Sequence, residues 1–203
     1  EIGETEVLLV IGSNTTEEHP MIGNLMKQAV KKRVCLIVVD PNETEIAKSA
    51  KFFLKPNPGT DIYWLNGLIQ EIIVKDLANE EFVQTRTEGY EEFVASLTTW
   101  TPERAELLTG IWATLLKKVA GILAQAKKLM IFYSAGITRD SCGLENVKAI
   151  ANLALLTGHV GRLGSGVAPL TVQKNVQGAC DMGGLPDFLS GYQKISNEQT
   201  RRK

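Results

Sequence analysis

The sequence predicts an α/β fold, a doubly wound and mostly parallel sheet with helices on both faces. Three observations predict it. The runs Val7-Leu8-Leu9-Val10-Ile11, Val34-Cys35-Leu36-Ile37-Val38-Val39 and Leu129-Met130-Ile131-Phe132-Tyr133 are short and almost unbroken apolar segments, the texture of strands buried on both faces. Each stops at turn-forming residues: Gly12-Ser13-Asn14, Asp40-Pro41-Asn42 and Ser134-Ala135-Gly136. Between the first two runs lies an amphipathic helical stretch, and a strand, helix and strand joined so closely form a βαβ unit whose strands are parallel.

The first strand spans residues 6–12. After Pro20, apolar Ile22, Leu25, Met26, Ala29 and Val30 recur at helical spacing, with Lys27, Lys31 and Lys32 on the wet side and at the carboxyl end. The second strand ends at Asp40-Pro41, where proline has no N–H to donate to the ladder. A short helix is expected over residues 43–50, a weak strand over 52–54 and a turn over 56–60. Thr60 is placed to cap the following helix, whose core stripe is Ile62, Leu65, Ile69, Ile72 and Ile73. Asn79-Glu80-Glu81 opens a shorter helix. Residues 87–123 form a helical excursion with Thr101-Pro102 as N-cap and first-turn proline. The strand at 129–133 is the last one expected, and Leu144, Val147, Ala151 and Leu155 mark the last long helix. From Gly158 onward glycines punctuate a stretch without periodicity, expected to be a long loop that is either a functional element or a piece that packs on further structure.

The 203 residues suffice for one well-filled core, and the composition narrows the function. With 22 basic and 23 acidic side chains intermixed, no field exists to hold a nucleic acid by counterion release. No apolar run approaches the ~20 residues of a membrane span, so no membrane span is expected. Three scattered cysteines, Cys35, Cys142 and Cys180, without Cys-x-x-Cys spacing, argue against a disulfide framework or a metal centre built here. They fit a reducing, cytoplasmic setting. The polar end, closing on Arg201-Arg202-Lys203, gives the chain the look of a piece of something longer.

In an open parallel sheet, ligands collect at the carboxyl ends of the strands. The loops there are Gly12-Ser13-Asn14-Thr15-Thr16, Asp40-Pro41-Asn42, Pro58-Gly59-Thr60-Asp61 and Ser134-Ala135-Gly136-Ile137-Thr138. Glycines let backbone N–H groups approach phosphate oxygens, and Asp40 can accept from ribose hydroxyls. Any one of these loops is an ordinary turn; their joint occurrence suggests an elongated phosphate-bearing ligand. A nicotinamide domain would carry Gly-x-Gly-x-x-Gly after the first strand, and only Gly12 is present. No P-loop occurs either. His19 and His159 have no Ser or Cys elbow beside them and suit helix-end hydrogen bonding better than base catalysis.

Several stretches together carry a family resemblance: residues 11–20, Pro58-Gly59-Thr60-Asp61 with Leu65-Asn66-Gly67-Leu68, Arg86-Thr87-Glu88-Gly89-Tyr90-Glu91-Glu92, Leu153-Ala154-Leu155-Leu156-Thr157-Gly158, and above all Asn175-Val176-Gln177-Gly178-Ala179-Cys180-Asp181-Met182-Gly183. The chain resembles the large (alpha) subunit of molybdopterin-dependent formate dehydrogenases over nearly its whole length. The resemblance implies a Rossmann-like domain over residues 1–173 that embraces one of two pterin-guanine dinucleotides. Residues 174–203 would then lead to a domain not in this chain. It nominates Gly12, Asn14, Asp40, Pro41, Gly59, Asp61, Gly136 and Thr138 as cofactor contacts, with Gln173 near the metal end. The implied cofactors are the bis-molybdopterin guanine dinucleotide (bis-MGD) with Mo or W and a 4Fe-4S cluster in the parent, the metal and cluster ligands lying outside this chain. The implied partners are the remaining domains of the same subunit, electron-transfer subunits and a small anionic substrate. Two departures stand out: Thr171 occupies the place of an arginine suited to a carboxylate substrate, and Asn42 replaces a common arginine after Asp40-Pro41. These departures leave room for a non-catalytic dinucleotide-binding or assembly domain of the same descent.

Overall fold

The computed structural model describes residues 1–171 and 175–201. The chain divides into two compact units, Glu1–Leu170 and Thr171–Lys203. In the first unit a five-stranded sheet has the order β3-β2-β1-β4-β5, with β1 Val7–Ile11, β2 Cys35–Val39, β3 Phe52–Leu54, β4 Leu129–Tyr133 and β5 Gly166–Pro169. All four pairings are parallel. Strand β1 lies at the centre, in register with β2 (Leu9 opposite Ile37) and with β4 (Leu9 opposite Ile131), and all five of its side chains are buried. Burial from both sides explains the absence of alternation in its sequence: Leu9 and Ile11 face one apolar cluster, Leu8 and Val10 the other.

The connections return over the two faces. Helices α1 (Thr15–Glu18) and α2 (Pro20–Lys31) join β1 to β2, and Met26 and Ala29 of α2 pack on Leu8, Val10 and Leu36. The opposite face carries the larger core, built on α3 (Asp61–Val74) with Trp64, Leu65, Leu68, Ile69 and Ile72 all fully buried. Between α3 and β4 run α4 (Glu80–Arg86), the short helix expected after Asn79, and α5 (Tyr90–Leu97), α6 (Pro102–Thr109) and α7 (Ala113–Gln125), the helices of the expected excursion. Asn79 caps α4 by accepting from the Phe82 N–H at 3.0 Å, and Thr101 caps α6 by accepting from the Arg104 N–H at 3.2 Å. Helices α8 (Ala135–Thr138) and α9 (Gly143–Leu156) lead from β4 to β5.

Three expectations are corrected. Over residues 43–50 the structure has only a single 3-10 turn, Ala47–Ser49. Thr60 stands at the N-cap of α3, but its hydroxyl donates back to the Asn57 carbonyl at 2.6 Å instead of capping. The glycine-rich stretch is not all loop: Gly166–Pro169 forms the edge strand β5. Glycine and proline at its ends hid it, since both are poor strand formers and are tolerated at an edge. The second unit contains α10 (Val176–Asp181), a two-stranded antiparallel pair of β6 (Phe188–Leu189) and β7 (Gln193–Lys194), and α11 (Glu198–Arg201). Among the described residues no helix is long and apolar enough to cross a membrane.

His159 closes the amino-terminal end of the first unit. It is 1% exposed; Nε2 lies 2.9 Å from the Ala126 carbonyl and Nδ1 lies 2.8 Å from Thr157 Oγ1. Burial lowers its pKa, opposed by the bond to Ala126. A folded pKa below the unfolded value of about 6.5 means that unfolded chains bind the proton more readily. The stability contributed above about pH 6.5 is therefore lost as pH falls toward the folded value. Urea midpoints measured between about pH 5 and pH 8 should decline on the acid side. In His159→Gln that decline should shrink; an unchanged pH profile in the variant would refute the assignment.

Candidate functional site

The carboxyl-terminal edge of the sheet gathers the loops that follow β3, β2, β1 and β4, in that spatial order. The strand order reverses between β1 and β4, where the chain leaves in opposite directions and a crevice opens. There the two loops touch. Gly12 has φ +54°, a left-handed conformation, and its carbonyl accepts from the Gly136 N–H at 3.2 Å. A Cβ on Gly136 would lie 2.7 Å from the Gly12 oxygen and 2.8 Å from its Cα. No side chain fits between them, so main chain alone forms the floor of the crevice. Ser134, buried behind the same loop, donates its hydroxyl to the Leu170 carbonyl at 2.8 Å and ties the loop to the end of β5.

The neighbouring loops bring carboxylates. Asp40 is buried at the end of β2, and its Oδ1 accepts from the Asn42 N–H at 2.8 Å across Pro41. Burial raises its pKa, the Asn42 bond opposes this, and the charge of Glu18 adds to it. Asp61, in the first turn of α3, accepts from Trp64 Nε1 at 3.0 Å. Its pKa is raised by burial and by the charges of Asp140 and Asp40, with the Trp64 bond opposing. Asp140 follows α8, and its Oδ1 lies 3.7 Å from where a Gly59 Cβ would stand. The loop after β3 thus meets the loop after β4 over the edge of the sheet.

Of the eight cofactor-contact candidates, Gly12, Asp40, Pro41, Gly59, Asp61 and Gly136 lie on this convergent edge. Asn14 and Thr138 lie on the same loops: Asn14 at the N-cap of α1, and Thr138, exposed, at the end of α8 with its carbonyl against Gly143. Gln173 falls outside the described residues, and Thr171 belongs to the second unit. Asp140 and Asn146 escaped the sequence reading. Asn146 is fully buried on α9, and its amide donates to the Ile137 carbonyl at 3.3 Å and to Asp140 Oδ2 at 3.4 Å. The only signal was position: an Asn four residues after the Cys142 N-cap, in an otherwise apolar stripe.

Buried polar atoms normally find partners. Here Asn14 Oδ1, Thr16 Oγ1, His19 Nε2, Thr44 Oγ1 and Asn146 Oδ1 are buried without one among the described residues. All five lie in the segments that follow β1, β2 and β4. The Ser13 and Thr15 hydroxyls, by contrast, are spent on each other at 3.0 Å. Among the described residues no three His, Cys, Asp or Glu side chains are gathered as a metal site.

A sequence profile of molybdopterin oxidoreductases matches residues 1–202, almost the whole chain. The chain belongs to the molybdopterin oxidoreductase family. This molybdopterin oxidoreductase chain is 43% identical, over 195 residues, to a formate dehydrogenase alpha subunit of Methanococcus maripaludis, covering 96% of the chain and 29% of that relative. It is 38% identical over 203 residues to formate dehydrogenase H of Escherichia coli, covering 28% of that protein. It therefore spans less than a third of these curated relatives. Among solved structures, acetylene hydratase from Pelobacter acetylenicus superposes with a TM-score of 0.75 at 26% identity, over 81% of this chain and 23% of the other.

The raised pKa values predict a stability cost at the edge. A carboxyl whose folded pKa exceeds its unfolded value of about 3.9 favours the folded state only at low pH, and that benefit is lost as pH rises through the folded value. In Asp61→Asn the side-chain oxygen still accepts from Trp64 without a half-buried charge. The variant should melt higher than the parent chain near neutral pH, and the gap should close as pH falls toward about 4. Equal melting temperatures at neutral pH would contradict the burial argument.

Proposed function

We propose that the first unit grips one pterin-guanine dinucleotide along the carboxyl-terminal edge of its sheet, as part of a longer formate dehydrogenase-type subunit. The observation that carries this reading is that the five unpartnered buried polar atoms found among the described residues all lie in the segments that follow β1, β2 and β4. They fit a ligand rich in both donors and acceptors. The chemistry of the edge divides in two. The floor of Gly12 and Gly136 suits a pyrophosphate because no side chain keeps it from the main chain; the two glycine N–H groups are spent on the Val39 and Gly12 carbonyls, so the Asn14 amide beside the floor is the donor offered to phosphate oxygens. Asp40 and Asp61, with Asp140 and Gly59 near them, suit the donors of the nucleoside end: ribose hydroxyls and the N–H groups of guanine. Thr138, on the exposed rim, supplies a hydroxyl beside the floor.

When bound, the pterin-held Mo or W supplies the two-electron chemistry, and the protein supplies binding and orientation. The thiolate or selenolate ligand and the 4Fe-4S cysteines of the parent lie in a portion outside this chain, and the other domains and electron-transfer subunits complete the enzyme. The substrate is formate or a similar small anion. Thr171, standing where the resemblance implies an arginine, favours a second reading: a dinucleotide-binding or assembly domain of the same descent without formate oxidation. Residues encoded upstream separate the two, since a cysteine cluster followed by a single Cys or selenocysteine supports the enzyme.

Guanosine diphosphate, the nucleotide end of the dinucleotide, tests the site directly. Titrated into the isotope-labelled chain, it should shift the amide resonances of Gly12, Gly59 and Gly136 saturably, and more strongly than NADH. Asp40→Asn should weaken binding by about tenfold, the effect of losing one charge-assisted bond of roughly 1.5 kcal/mol. Tighter binding of NADH, or no response at the edge loops, would overturn the proposal. The chain alone should not oxidise formate, and turnover by the purified, metal-loaded chain would refute that expectation.

A further inference from the structure

The stretch from Arg86 to Glu92 carries part of the family resemblance and contributes nothing to the cofactor edge. Helix α9 starts beside the loop after β4 and runs back antiparallel to the strands, so its last turn lies at the opposite edge. There the Asn79 N–H donates to the Leu156 carbonyl at 2.8 Å and brings α4 against α9. Between them and the start of α5 lies a cavity of about 260 Å³. Its floor is apolar: Val83, Phe93, Leu155 and Leu156. Its walls are Thr87, Glu88, Gly89, Tyr90 and Asn152. Gly89, at φ +72°, makes the turn between α4 and α5 that shapes the mouth, and a shallower lobe continues past Gln84, Glu91 and Glu92.

Size and charge together define an occupant. The cavity of about 260 Å³ has room for one large apolar side chain, and the more open lobe beside it, of about 370 Å³, has room for the residues that flank that side chain. Glu88, Glu91 and Glu92 stand exposed around it, and none of the four ion pairs found among the described residues involves them. Burial raises the Tyr90 phenol pKa, and the charges of two further carboxylates, Asp76 and Glu80, add to it. The adjacent cation, Arg86, lines a separate cleft together with Arg162. The Thr87 hydroxyl is already spent on the Val83 carbonyl at 2.6 Å. What remains is an apolar hole inside an unneutralised acidic rim. The Methanococcus maripaludis relative is named as a subunit, so polypeptide partners exist in the family.

We propose that this pocket docks a basic segment of a partner polypeptide, which seats an aromatic or branched aliphatic side chain on the Val83, Phe93, Leu155 and Leu156 floor. Lysine or arginine residues flanking that anchor meet Glu88, Glu91 and Glu92. The buried anchor supplies affinity, and the rim charges supply orientation and encounter rate. This surface is independent of the dinucleotide edge, so the two readings fail separately.

The test uses the full chain, methyl-labelled, with three synthetic peptides: Ac-Lys-Lys-Phe-Lys-Lys-amide, the same peptide with Ser in place of Phe, and Ac-Glu-Glu-Phe-Glu-Glu-amide. The first should shift the Val83, Leu155 and Leu156 methyl resonances saturably and at least tenfold more tightly than either control, and should weaken as salt is raised. Reversing the exposed rim with Glu88→Lys, Glu91→Lys and Glu92→Lys together should turn the preference toward the acidic peptide. The variant's far-ultraviolet circular dichroism and the methyl resonances of its sheet core, Leu8, Leu9 and Val10, should match those of the parent chain, which reports that the variant is folded. Equal binding of the Phe and Ser peptides, shifts confined to other surfaces, or an unaltered order in the reversed variant would each overturn the proposal.

Discussion

The contact of Gly12 with Gly136 is the constraint on which the working edge of this domain depends. Two loops that leave the central strands in opposite directions are brought to main-chain contact, with a Gly136 Cβ position only 2.7 Å from the Gly12 oxygen. A side chain at Gly136 would wedge the loops apart, and one at Gly12 would be strained at φ +54° and crowd the Gly136 main chain at 3.1 Å. Because β1 and β4 are paired in register up to Ile11 and Tyr133, the loops begin at the same height and have nowhere else to go. The parallel ladder sets the height, and the missing side chains set the separation.

Everything else at the edge is arranged around that floor. The loop after β2 brings a buried Asp40, the loop after β3 brings Gly59 and Asp61, and the segment after α8 brings Asp140 to meet them. Asn146 explains how that last segment is held. Its amide reaches two acceptors, the Ile137 carbonyl and the Asp140 carboxylate. Turning the group over would set its oxygen against both, so the amide orientation is forced and Oδ1 is left without a partner. A polar residue held half-satisfied in a dry place is a cost of roughly 1–3 kcal/mol that a purely structural core avoids. Its position behind a loop of the candidate site gives that cost a reason.

Much of the sheet was legible because its strands are covered on both faces. A run such as Leu8-Leu9-Val10-Ile11 has no polar partner face to preserve, and its continuity announces a parallel arrangement. The strand at Gly166–Pro169 was not legible. It sits at the edge, is only partly buried, and is made of residues whose local preferences point away from strands, so only its partner β4 reveals it. The short helix expected at 43–50 failed for a related reason: Asp40 captures the Asn42 N–H and the segment settles into one 3-10 turn. At the candidate site, the loops could be placed from turn chemistry, and Gly12, Asp40, Asp61 and Gly136 do converge. Asp140 and Asn146 could not be found that way, because neither follows a strand directly and their proximity is created by the return of α9.

If the edge holds the proposed ligand, the desolvated acids there make the empty domain and the filled domain different objects for a cell. A ligand whose donors meet Asp40 and Asp61 binds the folded chain and not the unfolded one, and so deepens the native well by mass action. A copy without its ligand opens more often and exposes its main chain to proteases, in proportion to the population of open forms. On the proposed reading, degradation would sort finished from unfinished subunits with no dedicated sensor, because the acids proposed to receive the ligand also loosen the domain that lacks it.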